Sequence, residues 1–344
     1  MLTASTTARA VVTTAPRVIA LQERQVPEPA AGEVLVRTVA TGICGSDVHL
    51  FHGDHPYSNY PLVQGHETVG RIEQVGPGEA EGLVGSLVAV EPTAECRRCG
   101  ECLRGAYNRC ENLQVLGVQK AGSLAGYVVA RTCKVHPVPH TESPAAWALA
   151  EPVAVAAHAV ERSGTVAGDT VVVLGAGVIG LAIALCLQRR HPQSVILVEP
   201  SVERRARVDR LGLGMAVAPE DRDAALAGAA PSGADVVFEA TGIPSVLSGA
   251  HGLARFGGRI VVVGQGAGDF TVPVIEMTRK ELTLTGSRNS AGTFPLAIET
   301  LAARPDVLAE LVTHRFAPDQ VEAAYDELAR PGSGALKVLV EFDA

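Results

Sequence analysis

The stretch Thr170-Val-Val-Val-Leu-Gly175-Ala-Gly177-Val-Ile-Gly180 decides the fold of the middle of this chain. A short β-branched run is typical of a buried strand, and the G-x-G-x-x-G pattern after it opens an apolar helix. The first glycine permits a tight turn, the second lets the backbone approach a pyrophosphate, and the third lets helix and strand pack closely. Val178 and Ile179 begin the helix, where free N–H groups favour an anion. The sequence therefore predicts a dinucleotide site at these residues.

The next predicted strand supports this interpretation. Ser194–Val198 is followed by Glu199, where an acidic side chain would accept hydrogen bonds from the adenine ribose hydroxyls. A carboxylate at this position repels a 2′-phosphate, so NAD is favoured over NADP. Arg204 and Arg205 follow closely and keep NADP as an alternative.

The same alternation of strand and helix continues along the chain. The predicted elements are a strand at 234–240, a helix at 246–255, and strands at 259–264 and 281–285. Such alternation predicts a doubly wound parallel sheet that binds its ligand at the carboxyl ends of the strands. Thr241, Gly264 and Ser287 lie at or just after the carboxyl ends of three of these strands, so we expect them to contact the cofactor.

The first 150 residues have a different pattern. Short β-rich runs at 11–12, 33–39, 69–75 and 87–90 are separated by Gly and Pro, which is typical of a small barrel-like β fold. Two helices, 294–303 and 321–329, precede a closing strand at 335–342, which we expect to return to this β module. The predicted domains are residues 1–152 with 289–344, and residues 153–288.

Two segments of the β module carry metal-ligand chemistry. Cys44-Gly-Ser-Asp-Val-His49 and Gly65-His66-Glu67 together supply a thiol, an imidazole and a carboxylate, which are the ligand types of a catalytic zinc site. Ser46 and His49 are suited to carry a proton from a zinc-bound oxygen to solvent. The alternative is an ordinary turn serine and an exposed histidine. Asp47 is interpreted as a structural residue that bonds loop amides.

Four more cysteines lie together at Cys96, Cys99, Cys102 and Cys110. Four thiolates in the loop 95–111 predict a closed structural zinc site, with an iron–sulfur cluster as the alternative. We therefore expect two zinc ions per chain. The remaining two of the seven cysteines, Cys133 and Cys186, are interpreted as buried small apolar residues.

Composition excludes several other classes of protein. The net charge is −8 without a cluster of Lys or Arg, which argues against nucleic acid or an anionic membrane as a partner. No apolar run is long enough for a membrane helix. Residues 1–9 carry no secretory pattern and are expected to form a short frayed tail, so we expect a cytoplasmic protein.

Together with Ala150-Glu151-Pro152, these motifs closely resemble the zinc-dependent medium-chain dehydrogenase/reductases, in particular the polyol (sorbitol) and threonine dehydrogenase branch. The resemblance covers nearly the whole chain. It implies a GroES-like catalytic domain, a Rossmann domain, and a catalytic zinc held by Cys44, His66 and either Glu67 or Glu151. It also implies a homodimer or homotetramer, built partly by the edge strand at 281–285.

Three segments, residues 110–118, 286–289 and 313–316, are similar to dehydrogenases of sugar acids such as gulonate or galactonate, oxidised at C5. Arg288 would then pair with a substrate carboxylate, or else contact cofactor phosphate or a neighbouring chain, and Tyr57 is a further substrate candidate. The stretch Gly122-Ser-Leu-Ala-Gly126 departs from the usual acidic-glycine step and leaves the substrate open.

The expected activity is hydride transfer between a secondary alcohol or ketone of a hydrophilic small molecule and a nicotinamide cofactor. The substrate would be a polyol, sugar acid, cyclitol or amino alcohol. Two alternatives are a zinc-independent quinone or enone reductase of the same fold and a non-catalytic NAD-binding protein.

Overall fold

The structure is a computed structural model and describes residues 6–342. Of these, the residues up to Glu151 and those from Leu301 form one compact unit, and Pro152–Thr300 form a second. The second unit extends beyond residue 288, because the Thr293 hydroxyl donates a 2.8 Å hydrogen bond to the carbonyl of Ala154. Most of the expected frayed tail lies outside the described residues, and Thr7 already begins the first strand.

Strands and α-helices are numbered here in chain order. The strands are β1 Thr7–Ala15, β2 Val18–Gln25, β3 Glu33–Ile43, β4 Leu62–Val63, β5 Glu67–Val75, β6 Leu87–Val90, β7 Thr93–Ala94, β8 Gln114–Val115, β9 Tyr127–Arg131, β10 Val135–Pro137, β11 Thr170–Leu174, β12 Ser194–Val198, β13 Met215–Val217, β14 Ala234–Glu239, β15 Ala254–Val262, β16 Thr283–Gly286, β17 Val312–Phe316 and β18 Lys337–Glu341. The helices are α1 Gly45–His52, α2 Gly100–Leu103, α3 Ala150–Ser163, α4 Val178–Leu187, α5 Val202–Leu211, α6 Arg222–Ala229, α7 Pro244–Leu253, α8 Val274–Arg279, α9 Phe294–Ala302, α10 Pro305–Leu311 and α11 Val321–Ala329. Single 3₁₀ turns occupy Glu81–Leu83, Tyr107–Arg109, Thr132–Lys134, Pro144–Leu149, Gln188–Arg190, Pro219–Asp221 and Pro318–Gln320.

The first unit is built on a seven-stranded sheet. Its order is β10-β6-β5-β3-β18-β17, and β9 also pairs with β3. The long strand β3 is central, and its antiparallel ladder with β5 places Gly42 opposite Glu67. Apolar side chains of these strands, including Val36, Ile72 and Val88, form one buried cluster. The predicted β-rich module is confirmed.

The second unit contains a six-stranded sheet in which every pair is parallel. Its order is β13-β12-β11-β14-β15-β16, the Rossmann arrangement of two mononucleotide-binding halves. Val171, Val172 and Val173 of the central strand are fully buried, as expected for a strand that is covered on both faces. The predicted doubly wound parallel sheet is confirmed, and β11 and β14 flank the point where the strand order reverses.

Three local expectations from the sequence are wrong. The segment after Cys44 is helix α1, not a loop. Helix α7 ends at Leu253, because Ala254 already pairs with Ala234 in the sheet. Cys133 is exposed, because the 3₁₀ turn around it directs the neighbouring Lys134 into the interior instead. Within residues 6–342, no helix is long and apolar enough to cross a membrane.

Candidate active site

The start of helix α1 is shaped by Asp47. Its Oδ2 atom accepts a 3.0 Å hydrogen bond from the Cys44 N–H, and its Oδ1 atom accepts one of 3.3 Å from the Gly65 N–H. The side chain is fully buried. Asp47 therefore joins the Cys44 turn to the turn before His66, in agreement with the predicted bonding of loop amides.

Three of the predicted metal ligands come together in this unit. Ligand atoms of Cys44, His66 and Glu67 all lie within 4.8 Å of one another. Cys44 follows β3 and Glu67 begins β5, so the ladder between these strands sets their separation. Within residues 6–342, Glu151 is not part of this close group. It lies in the first turn of α3, and desolvation raises its pKa to about 7, with the Glu67 carboxylate acting in the same direction.

The ring of His66 is oriented by Asp47. Nδ1 of His66 lies 3.6 Å from Asp47 Oδ1 and has no hydrogen-bond partner among the described residues, so the two side chains interact through charge. Burial would lower the pKa of His66, but the Asp47 carboxylate raises it well above its ordinary value. A carboxylate behind the ring is the usual support of a metal-binding histidine.

These residues fit a zinc ion. Glu67 Oε2 is buried and has no hydrogen-bond partner among the described residues. Its other oxygen, Oε1, lies 2.6 Å from the Nζ atom of Lys337. Cys, His and carboxylate are ligands that zinc accepts, and three protein ligands leave one position open for substrate. The sequence reasoning missed Lys337, although a lysine inside the apolar run Ala335-Leu-Lys-Val-Leu-Val340 was a visible signal.

The residues proposed for proton transfer lie on α1. Ser46 is partly buried, and His49 is exposed with its Nδ1 atom 3.1 Å from Asp54 Oδ1. The sequence reasoning also missed His55, whose pKa is lowered by desolvation and then by the charge of His49. The spacing of His49, His52 and His55, three residues apart, was the available signal.

Tyr57 lies on the loop after α1, and its ring centroid is 5.7 Å from that of His55. Its side chain is exposed and borders a cavity of about 490 Å³. The other residues that line the cavity are Arg24, Ser58, Asn59, Pro61, Leu62, Val63, Val118, Gln119 and Ala121. The wall combines polar and apolar side chains.

The stretch that departs from the family pattern is structural. Ser123 is fully buried, and its Oγ atom accepts a 2.6 Å hydrogen bond from the Thr68 hydroxyl. The Thr41 hydroxyl donates to the Ser123 carbonyl at 2.8 Å. Ser123 therefore ties β3 to β5 beside the metal-ligand group.

The four-cysteine loop forms a second close group. The Sγ atoms of Cys96, Cys99, Cys102 and Cys110 all lie within 4.8 Å of one another. Backbone N–H groups lower the pKa of Cys96 to about 6, whereas desolvation and the thiols of Cys99 and Cys110 raise the pKa of Cys102 to about 12. Four thiols at this separation fit a tetrahedral metal ion, because only a cation lets all four ionise together.

Buried charges hold this loop in place. Lys134 Nζ lies 2.6 Å from Glu91 Oε1, 3.4 Å from Glu95 Oε2, and 3.7 Å from the centre of the Tyr107 ring. Glu95 directly precedes Cys96, and Tyr107 precedes Cys110. The cysteine loop is therefore anchored at both ends to Lys134.

The glycine fingerprint has room for a phosphate in the second unit. A Cβ atom on Gly180 would lie 1.9 Å from the Gly175 carbonyl oxygen, so helix α4 can begin here only with glycine. A Cβ atom on Gly177 would meet no atom within 4 Å, so the space before Val178 and Ile179 is open. Free N–H groups of the first helical turn face an anion at such a position.

Glu199 lies beside this fingerprint. Its Oε2 atom accepts a 2.9 Å hydrogen bond from the Ala176 N–H, and Oε1 accepts one of 3.0 Å from the Ser201 N–H. Each oxygen keeps a lone pair for a ribose hydroxyl. The Arg204 N–H donates to Ser201 Oγ, and the Arg205 guanidinium donates to the carbonyls of Glu199 and Pro200.

The other predicted cofactor residues follow the strand ends. The Thr241 N–H donates a 2.7 Å hydrogen bond to the buried Glu239 carboxylate. A Cβ atom on Gly264 would lie 2.2 Å from the Gly242 nitrogen, so only glycine fits there. The Ser287 hydroxyl is buried and has no hydrogen-bond partner in the described part of the chain. Arg288 is exposed and already has an interaction partner.

Comparisons with known proteins agree with this geometry. Residues 30–140 match the alcohol dehydrogenase GroES-like domain, and residues 177–303 match the zinc-binding dehydrogenase family. The L-galactonate-5-dehydrogenase of Escherichia coli K12 is 35% identical over 305 residues, which cover 88% of this chain and 89% of that protein. The sorbitol dehydrogenase of Arabidopsis thaliana is 34% identical over 333 residues, covering 93% and 91%.

Solved structures are similar over the same length. An Escherichia coli CFT073 alcohol dehydrogenase, complexed with NADH, superposes with a TM-score of 0.90 at 31% identity, covering 98% of this chain and 99% of that one. A zinc-binding dehydrogenase from Sinorhizobium meliloti 1021, bound to NADP, also gives 0.90, at 29% identity, with 98% and 100% covered. The chain belongs to the zinc-dependent medium-chain dehydrogenase/reductases, in the branch of polyol and sugar-acid dehydrogenases, and is an oxidoreductase that acts on hydroxyl substrates with a nicotinamide cofactor.

Proposed function

We propose that this protein is an NAD-dependent dehydrogenase that oxidises a secondary alcohol of a hydrophilic small molecule, or reduces the corresponding ketone. The observation that carries the proposal is the close group of Cys44, His66 and Glu67, whose ligand atoms lie within 4.8 Å of one another. When bound there, zinc supplies a Lewis acid that lowers the pKa of an alcohol oxygen. A bound nicotinamide would accept the hydride of the substrate carbon, or supply it in the reverse direction.

The chain's own residues hold the site and move the proton. Cys44, His66 and Glu67 bind the metal, and Asp47 orients His66. The Ser46 hydroxyl accepts the alcohol proton as it releases its own proton toward His49, the exposed imidazole on the same helix. His49 gives up a proton to solvent, and Asp54 Oδ1, 3.1 Å from Nδ1, stabilises the charged ring. Glu151 is the second carboxylate close enough to interact with Glu67 and His66. We assign it to the site as an exchanging or water-linked partner of the metal.

A second zinc ion has a structural role in this proposal. The four cysteines of loop 95–111 fill a tetrahedral coordination sphere, so no position remains for chemistry. Elemental analysis of the purified protein should find two zinc ions per chain. A value of one or none would contradict this part of the proposal.

Support for NAD as the cofactor comes from Glu199, whose carboxylate accepts hydrogen bonds from the Ala176 and Ser201 N–H groups beside the glycine fingerprint. A carboxylate that contacts the adenine ribose would repel a 2′-phosphate. Arg204 and Arg205 follow Glu199 closely in the chain, and they are the candidate contacts of a 2′-phosphate if the cofactor is NADP. Glu199→Ala should lower kcat/KM with NAD and raise it with NADP. If the preference of this variant for NAD over NADP were unchanged, Glu199 would not determine the choice of cofactor.

For the substrate, we favour a polyol or sugar acid. The relative named L-galactonate-5-dehydrogenase acts on an acid, and a guanidinium pairs well with a carboxylate. Arg288 and Tyr57 are the candidate contacts. A screen of cofactor reduction across polyols, aldonates, cyclitols and amino alcohols tests the proposal. Arg288→Ala should then raise KM for an acid far more than for its neutral polyol, and equal losses would exclude a carboxylate contact.

We also propose that two or four copies of the chain assemble. Strand β16 is the outer strand of its sheet, and the apolar side chains of Val274 and Ile275 on α8 are 78% and 65% exposed. An edge strand and exposed apolar side chains are two separate features that favour pairing with a second copy. Light scattering should give a dimer or tetramer mass, and Ile275→Glu should shift it toward the monomer.

A further inference from the structure

Lys337 is a charged side chain in the interior of the first unit. It is 3% exposed, and its Nζ atom donates hydrogen bonds of 2.6 Å to Glu67 Oε1 and 3.1 Å to the Ile43 carbonyl. Strand β18 pairs antiparallel with β3 and places Val338 opposite Ile43, so the lysine follows from the register of the sheet. Lysine is rarely buried without a specific partner.

The hydrogen bond from Lys337 makes the two carboxylate oxygens of Glu67 unequal in their hydrogen bonding. Oε1 accepts the hydrogen bond from Lys337, whereas Oε2 is buried and has no hydrogen-bond partner among residues 6–342. A Cβ atom on Gly42 would lie 2.0 Å from Oε2, so glycine at this position is what makes room for the free oxygen. One oxygen of the carboxylate is thus already bound and the other is available.

The acidic groups around Glu67 need a positive charge nearby to balance them. Cys44, Glu67, Asp47 and Glu151 are all acidic groups in the same region, and Lys337 is within interaction range of three of them. A buried carboxylate without a partner is costly, so Glu67 would otherwise turn both oxygens toward a bound metal ion. Lys337 therefore competes with a bound metal ion for the negatively charged carboxylate of Glu67.

We propose that Lys337 is a positioning residue that restricts Glu67 to one metal-binding oxygen and thereby keeps a coordination position open for the substrate. The inference rests on the proposed role of Cys44, His66 and Glu67 as zinc ligands. A lysine that only stabilises the fold would hold the metal site together, so its loss would weaken metal binding. A lysine that restrains Glu67 has the opposite effect, because its loss gives the metal a second oxygen and removes a nearby positive charge.

The test is Lys337→Met, which keeps the aliphatic stem and removes the donor. Zinc in the catalytic site should be lost to a chelator on the order of tenfold more slowly than from the parent protein. With cobalt(II) in that site, visible absorption should weaken, because a fifth ligand atom converts a tetrahedral ion to five-coordinate geometry. The kcat should fall while the Kd for NADH stays unchanged. Lys337→Arg, which restores a charged donor, should restore the parent spectrum.

Lys134→Met is the matched control, because Lys134 also forms a buried 2.6 Å pair with a glutamate but lies at the cysteine loop. It should leave the spectrum of cobalt in the catalytic site unchanged. If Lys337→Met does not fold, Lys337→Leu also removes the hydrogen-bond donor, and slower metal loss is expected there too. Metal loss that is equal or faster, with an unchanged cobalt spectrum, would overturn the inference. If the parent protein bound no metal at Cys44, the proposed function would fail instead.

Discussion

The Asp47 carboxylate lies 3.6 Å from Nδ1 of His66, and both side chains are buried. The negative charge of Asp47 orients the imidazole of His66 and makes the imidazole a stronger zinc ligand. Asp47→Asn removes this charge. Zinc affinity at the catalytic site should fall by roughly 10–100-fold. Chelator competition measures this change. Asp54→Asn is the control, because Asp54 contacts the exposed His49 and its loss should leave zinc affinity unchanged.

The same pair sets a pH dependence. Because Asp47 raises the pKa of His66 above its ordinary value of 6.5, protonated His66 stabilises the metal-free protein below that pH. This stabilisation is lost as the pH rises through the raised pKa. Zinc needs the neutral ring, so the increase in Tm caused by zinc should grow with pH. Thermal unfolding with and without zinc, at pH values on both sides of 6.5, checks this; an increase that shrinks with pH would contradict it.

Loss of zinc from the cysteine loop should leave zinc at the catalytic site unaffected. Cys99→Ser should lose one zinc ion per chain and lower the free energy of unfolding, because formation of a structural site is coupled to folding. Zinc at Cys44 should remain. Cys133→Ser is the control, since this exposed thiol is outside the four-cysteine group and should retain both ions. Elemental analysis after dialysis distinguishes the two variants.

Lys134 should stabilise the unit that contains this loop. Lys134→Met leaves Glu91 and Glu95 without their buried cation, and removing one partner of a buried pair costs about 3–5 kcal/mol. Urea unfolding measures the loss. Lys120→Met replaces an exposed lysine and should change the free energy of unfolding by less than about 0.5 kcal/mol. Similar values for the two variants would show that the network contributes little.

Two glycines of the fingerprint should respond differently to alanine. Gly177→Ala should fold with an unchanged Tm but bind NADH more weakly, because its methyl group enters the open space before α4. Gly180→Ala should lose stability as well, since its Cβ would lie 1.9 Å from the Gly175 oxygen. Calorimetric titration with NADH and thermal unfolding separate the effects. If Gly177→Ala bound NADH with the affinity of the parent protein, the cofactor phosphate would not bind beside Gly177.

Most of the fold could be predicted because its signals are local. The buried valines of 171–173 and the glycines of 175–180 specify a strand, a turn and a helix within one short segment. Cys44, His66 and Glu67 could be grouped in advance because a thiol, an imidazole and a carboxylate are together the ligand types of a catalytic zinc site.

The missed features depend on register and distant pairing. Lys337 contacts Glu67 only because β18 pairs with β3, and sequence patterns do not give the partner of a strand. Cys133 is exposed, against expectation, because the 3₁₀ turn Thr132–Lys134 interrupts the period of the strand and buries the neighbouring Lys134 instead. His55 lies in the loop after α1, and the side chains around it depend on the path of this loop. The sequence of a loop has no periodic pattern that predicts its path.

The central claim is that zinc at Cys44, His66 and Glu67 is required for nicotinamide-dependent oxidation of an alcohol. The most direct test is the rate of NADH formation with the best substrate of the screen, measured before metal removal, after it, and after zinc is restored. The rate should vanish with the metal and return with zinc, and Cys44→Ser should remain inactive while still binding NADH. Undiminished turnover in protein free of metal would contradict the claim and favour a zinc-independent reductase.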